Sequence, residues 1–216
     1  MEPTIVHLLR HGQVENPDRV LYGRLPGYHL SALGRQMADR VAEYLEQTPL
    51  THLRCSPLER AQETMAPVAA GRPELEVVID ERLIEADNAF AGSVFAGNYR
   101  ALLDPRRWWR LRNPLVPTWG EPYRDIVARM LPAVRDAADA AGEGGQALVV
   151  SHQLPIWTLR SYVEGRRLAH DPRRRQCTLA SLTSLHLLRG QIIQVDYREP
   201  CRDLLPAKTK TFVAGS

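Results

Sequence analysis

Thr4-Ile5-Val6-His7-Leu8-Leu9-Arg10-His11-Gly12 (TIVHLLRHG) is the stretch whose reading decides the fold. Thr4 to Leu9 is a short β-branched and apolar run that stops abruptly at Arg10-His11-Gly12. Such a run predicts a buried strand that ends in a loop, with polar side chains gathered at the strand's carboxyl end. A second run of the same kind, Ala147 to Ser151 (ALVVS), stops at His152. Two more short strands are expected at His52 to Ser56 and Leu75 to Ile79, and a pair at Thr178 to Leu188 and Gln191 to Tyr197, joined at Arg189-Gly190.

Helical patterns fill the spaces between these runs. Ser31 offers an N-cap before LSALGRQMADRVAEYLEQ, where Met37, Val41 and Leu45 recur every four residues. Pro57 suits the first turn of a helix carrying Arg60, Glu63 and Thr64. Tyr123 to Ala141 places Ile126, Met130 and Val134 on one face, and Gly142, Gly144 and Gly145 end it. A fourth helix is expected from about Pro155 to Glu164. Strands alternating with helices predict an α/β fold: a three-layer α/β/α sandwich around a mostly parallel central sheet. Ligands of such sheets sit at the carboxyl ends of the strands, where Arg10-His11 and His152 fall. A single domain over 1–199 is expected. Residues 82–122, rich in Arg, Trp, Pro and Gly, are too long for a plain connection and form a candidate lid-like insertion, and 200–216 reads as a loose tail.

The bulk numbers exclude several classes. The 216 residues are 44% hydrophobic and 25% charged, ordinary for a globular chain, and the net charge of +3 is too small to argue for nucleic acid. No zinc-finger or helix-turn-helix pattern appears. No apolar run approaches the roughly 20 residues that a membrane-spanning helix needs, and the N-terminus has no signal-peptide pattern. Cys55, Cys177 and Cys201 are odd in number and widely spaced, which argues against a disulfide framework or a zinc site. Reduced cysteines, a cytoplasmic location and no cofactor are the expectation. Neither nucleic acid nor a membrane is expected as a partner. A homodimer is compatible with the sequence, which carries no signal for oligomeric state.

Four pieces carry chemistry in a fixed order: LLRHGQVEN (residues 8–16), SPLERAQET (56–64), Leu83-Ile84-Glu85 and Val149-Val150-Ser151-His152. Together they resemble the histidine phosphatase superfamily, the group that includes the phosphoglycerate mutases, over Thr4 to Val163. The resemblance implies a metal-independent phosphomonoesterase acting on a small phosphate ester. His11 would be the nucleophile, Arg10, Arg60 and His152 would form the phosphate pocket, Asn16 would be a further pocket amide, and Glu85 the general acid. The chemistry agrees. A transferring phosphoryl group spreads charge over its oxygens, so catalysis is mostly positioning and positive electrostatics, which guanidinium forks supply. Crowding by Arg10, Arg60 and a second imidazole disfavours protonation of His11 and leaves it a neutral nucleophile.

This sequence departs from the family pattern at three places. LIEADNAFAG lacks the Arg and the acidic-Gly ending usual around the acid, which leaves Asp87 as an alternative to Glu85. Gln153 stands where the family shows Gly after Ser-His, bringing a side chain to the pocket edge. Gly120-Glu121-Pro122 replaces Gly-Glu-Ser. Glu63 reads as a structural partner orienting Arg60. Arg106-Arg107-Trp108-Trp109-Arg110-Leu111-Arg112 reads equally as an anion-binding lid or as an amphipathic helix packed through its Trp and Leu. Pro172-Arg173-Arg174-Arg175 reads more as a solvated loop than as a site, with a position near the mouth of the site as the alternative. Two other functions stay open: a phosphoglycerate mutase-type phosphotransferase, and a phospho-ligand-binding module without turnover.

Overall fold

A computed structural model of the chain describes residues 2–88, 91–92 and 120–205. The lid expected at 82–122, with Arg106–Arg112, lies for the most part outside the described residues. The described elements run β1 (Thr4–Arg10), α1 (Ala32–Tyr44), β2 (Leu50–Cys55), α2 (Glu59–Ala70), β3 (Val77–Ile79), α3 (Tyr123–Ala141), β4 (Gln146–Ser151), α4 (Gln153–Val163), β5 (Leu182–Leu188) and β6 (Gln191–Arg198). The six strands form one sheet in the order β3-β2-β4-β1-β5-β6. The first four are parallel; β5 runs antiparallel to β1, and β6 antiparallel to β5.

Strand alternation sends side chains to both faces. Val6, Leu8, Ala147 and Val149 pack with Ile126, Met130 and Val134 of α3 and Ile156 and Leu159 of α4. Leu9, Leu53, Leu148 and Val150 pack with Met37 and Val41 of α1 and Ala61, Met65 and Val68 of α2. This is the α/β/α sandwich read from the sequence. Ser31 caps α1 as expected, its hydroxyl accepting from Gly34 N at 3.0 Å.

The differences lie at element ends. Helix α2 starts at Glu59 with Leu58 as N-cap, so Pro57 stands before the first turn. Ser56 and Pro57 carry the chain off the sheet instead. Strand β3 is shorter than Leu75–Ile79, because the Leu75 amide closes a turn onto Arg72 O at 3.0 Å. Strand β5 starts at Leu182, not Thr178. Ala180 takes a left-handed φ of 52°, and this turn bonds to the end of β1, Arg10 N to Ser181 O at 3.1 Å and Ala180 N to His11 O at 3.3 Å. The expected loose tail is docked at its start. Cys201 is buried, with its thiol on Met37 O at 3.4 Å, and Leu204 and Leu205 pack on the α1/α2 side.

One close approach matters for the site. The loop after His11 lies against α1 so tightly that a Cβ on Gly34 would stand 2.0 Å from Gln13 O, and one on Gly12 2.7 Å from Gly34 O. Alanine at a helix interior normally gains about 1 kcal/mol over glycine. Here the clash is backbone on backbone, so overpacking wins. Gly34→Ala is expected to lose about 3 kcal/mol or more in a urea titration. A neutral or stabilising result would show that loop and helix can part.

Candidate active site

Neighbouring parallel strands deliver the two imidazoles. Arg10 of β1 is in register with Ser151 of β4, and His11 N donates to Ser151 O at 3.2 Å, so His11 and His152 leave the sheet side by side. Their rings are 5.1 Å apart, tilted by 58°. Strand β2 ends one step further along, and the first turn of α2 brings Arg60 to the same end. Arg10, His11, Arg60 and His152 are all buried, at no more than 2% exposure.

Each side chain is held by the backbone around it. His11 Nδ1 donates to Gly12 O at 2.8 Å. A carbonyl can only accept, so the proton of the neutral ring sits on Nδ1 and the lone pair on Nε2. Gly12 N donates to Thr64 Oγ1 at 3.1 Å, which ties the nucleophile loop to α2. Arg10 NH1 donates to Cys177 O at 2.8 Å. Arg60 NH2 donates to Gly23 O at 2.6 Å, and its guanidinium lies 4.8 Å from the centre of the Tyr22 ring. His152 Nε2 pairs with Ser56 Oγ at 2.7 Å.

The electrostatics follow from this crowding. Burial, then Arg60 and Arg10, hold His11 well below the usual imidazole range. Burial, Arg60 and His11 do the same to His152. Both rings are therefore neutral near pH 7. Meanwhile, among the described residues, Arg60 Nε, Arg60 NH1 and His152 Nδ1 are out of contact with solvent and find no hydrogen-bond partner. Buried polar atoms are nearly always paired, because an unpaired one costs roughly 1–3 kcal/mol. These orphaned atoms gather at the carboxyl end of the parallel strands, where the free guanidinium N–H positions can donate to an anion.

Glu85 faces the same group from the loop after β3. Its carboxyl is raised above the ordinary range, mainly by burial, against the opposing pull of Arg60, Arg175 and Arg10. The loop carrying it is pinned on both sides. Arg129 NH1 donates to Arg82 O and Ile84 O, at 2.6 and 2.7 Å, Ser151 Oγ donates to Leu83 O at 2.7 Å, and Arg24 Nε donates to Glu85 O at 2.7 Å. Glu121 joins the two arginines, bonding Arg24 at 2.9 Å and Arg129 at 2.7 and 2.9 Å. Asp87 is exposed, and its carboxylate accepts from Asn88 N at 2.8 Å.

Other expected residues have different neighbours from those read in the sequence. Asn16 closes its own loop, exchanging two 2.9 Å hydrogen bonds with the Val20 backbone. Glu63 does not orient Arg60; it accepts from Leu30 N at 2.7 Å and pairs with His29, fastening the loop before α1. Gln153 spans the Cys177 carbonyl and the Arg175 guanidinium, 3.2 Å from each. Arg175, which the sequence reads first as part of a solvated loop and alternatively as near the mouth of the site, is within electrostatic reach of Glu85 and Arg10. Ser56 and Thr64 stood in the quoted motif with no stated job. Arg24, Glu121 and Arg129 carried no local signal that ties them to Glu85.

Similarity to known proteins accords with this geometry. The profile of the histidine phosphatase superfamily (branch 1) matches residues 6–199. The chain is 53% identical over 199 residues to the uncharacterized protein Rv0525 of Mycobacterium tuberculosis, covering 92% of this chain and 98% of that one. It is 30% identical over 201 residues to GpmB, a probable phosphoglycerate mutase of Enterobacter sp. (strain 638), covering 90% and 85%. Among solved structures, the mycobacterial glucosyl-3-phosphoglycerate phosphatase superposes with a TM-score of 0.72 at 26% identity, over 90% of this chain and 97% of that one. The matched residues run from the strand that presents His11, through the one that presents His152, to the edge of the sheet, and on that footing the chain belongs to the histidine phosphatase superfamily, branch 1.

Proposed function

We propose that this protein hydrolyses a small phosphomonoester through a phosphohistidine on His11. The observation that carries the reading is the set of buried, unpartnered donor positions on Arg60 and His152 beside a neutral His11. A tetrahedral phosphoryl group satisfies them together with Arg10. In the first step His11 Nε2 attacks phosphorus in line with the ester oxygen. The P–O bond breaks with its electron pair on oxygen, and Glu85 delivers a proton to the departing alcohol. In this mechanism Ser56 donates to His152 Nε2, so that the His152 proton stands on Nδ1 for the phosphoryl oxygens. In the second step water attacks phosphorus, the Glu85 carboxylate takes its proton, and the P–N bond breaks to return neutral His11 and inorganic phosphate. Asn16 shapes the loop beside the pocket. The phosphatase similarity in fold supports hydrolysis over transfer. The probable mutase relative keeps transfer as the second reading, and isomer formation from 3-phosphoglycerate outpacing phosphate release is the result that favours it.

Glu85→Gln tests the acid. The variant keeps the shape and loses the proton, so alkyl phosphates, with poor leaving groups, are expected to slow by about 10²–10⁴-fold. p-Nitrophenyl phosphate, which needs little protonation, should slow far less. Equal losses on both substrates count against Glu85 as the acid and reopen Asp87.

The pH profile has a worked sign. Free His11 must be neutral, and its lowered pKa moves the acid limb of kcat/KM below 6.5. Free Glu85 must be protonated, and its raised pKa extends activity upward from 4.5 before the alkaline limb sets in. A bell with a mildly acidic optimum is expected for alkyl phosphates. The alkaline limb should vanish in Glu85→Gln.

A further inference from the structure

Arg175 has no part in the hydrolysis written above, yet it is built into the same end of the sheet. It is half-buried, partial burial lowers its pKa, and its electrostatic neighbours are Glu85, Tyr123, Arg10 and Cys177. Two hydrogen bonds fix its fork. Nε donates to His170 Nε2 at 2.8 Å, and NH1 donates to Gln153 Oε1 at 3.2 Å. The same Gln153 amide donates to Cys177 O, the carbonyl that also accepts from Arg10 at 2.8 Å. Arg10 and Arg175 are thus separated by one carbonyl and one amide. His170 is itself held, with its ring 5.5 Å from Tyr123 and 5.9 Å from Trp157. Gln153 is the residue that stands in place of a glycine, and a glycine has no atom to hold Arg175.

The charges point the same way. Among the described residues, Arg24 and Arg129 have Glu121, and Arg60 has Glu59 as well as Glu85 within electrostatic reach. Arg175 is half-buried, and its two hydrogen-bond partners, Gln153 and His170, bring no negative charge. The carboxyl within its reach is Glu85, which is protonated when it acts as acid. Taking a cation partly out of water without a counter-charge is costly. We propose that Arg175, positioned by Gln153 and His170, binds a second anionic group of the substrate, a carboxylate or a second phosphoryl group, and selects esters that carry one. This rests on the phosphatase reading of the site and names the class of ester it takes.

Matched probes test it. 2-Phosphoglycolate and ethyl phosphate differ by the carboxylate, and ethylene glycol bisphosphate supplies a phosphoryl group instead. The wild type is expected to favour one of the two doubly anionic esters over ethyl phosphate by about tenfold or more in kcat/KM, or about 1.4 kcal/mol. Which of them is favoured identifies the group. In Arg175→Gln that ratio should fall toward one. Arg175→Lys should keep part of it, and Gln153→Gly should lose part of it. A wild type with no preference, or a ratio unchanged in Arg175→Gln, overturns the proposal. Calorimetric binding of phosphonoacetate, ethylenediphosphonate and ethylphosphonate to the wild type needs no turnover. If no ester is hydrolysed but one of the doubly anionic phosphonates binds more tightly, and Arg175→Gln loses the difference, the subsite stands and the phosphatase reading falls. Hydrolysis without preference does the reverse.

Discussion

His11→Ala is expected to abolish turnover, with kcat falling by at least about 10⁴-fold, since groups that act as a unit fail together when the nucleophile goes. The residual rate should come from charge stabilisation by Arg10, Arg60 and His152 alone. Labelling from a phosphate donor should disappear too. In the wild type the label should be acid-labile and base-stable, as a phosphoramidate is. The fold should survive, because alanine keeps the backbone bonds of His11 to Ser151 and Ala180, and the side-chain hydrogen bond it removes is a local one to Gly12 O. Undiminished labelling of His11→Ala on another residue would sink the phosphohistidine mechanism while leaving the pocket in place.

Arg60→Met is expected to move activity and stability in opposite directions. Activity should drop by about 10²–10³-fold, the usual loss for one donor aimed at developing charge. Stability without ligand should hold or rise. Arg60 is completely buried, two of its three guanidinium nitrogens have no partner among the described residues, and methionine fills similar space without the desolvation cost. The lost contacts are the hydrogen bond to Gly23 O and the stacking on Tyr22. Added phosphate should separate the proteins. At 100 times its Kd it stabilises the wild type by about 2.7 kcal/mol, and Arg60→Met should show little of this. A thermal scan with and without phosphate reads both effects. A variant that melts well below the wild type yet still gains from phosphate would mean that Arg60 serves the fold, not the ligand.

The motif residues were legible because their meaning is local. TIVHLL followed by Arg10-His11 announces a strand and what stands at its end, and ALVVS followed by His152 does the same. The element ends were less legible for an equally physical reason. Whether Leu75 joins β3 or closes a turn, and whether Thr178 joins β5 or its neighbours fold back onto His11, depends on which amide finds which carbonyl across the sheet. Periodicity does not record that. Glu63 shows the limit most clearly. Its place one turn from Arg60 suggested a partner, but the loop at His29 and Leu30 lies on that side of the helix.

From the chain alone came the alternation of strands and helices, the faces they bury, and the four side chains that chemistry would choose for a phosphoryl group. Periodicity and residue type are properties of neighbours in sequence, so they can be read there. Folding added the support: Thr64 under Gly12, Ser56 behind His152, the Glu121 clamp on the loop of Glu85, and Arg175 beside Arg10. Most of those partners are tens to more than a hundred residues apart, and only packing both helix pairs onto one sheet brings them within hydrogen-bond reach.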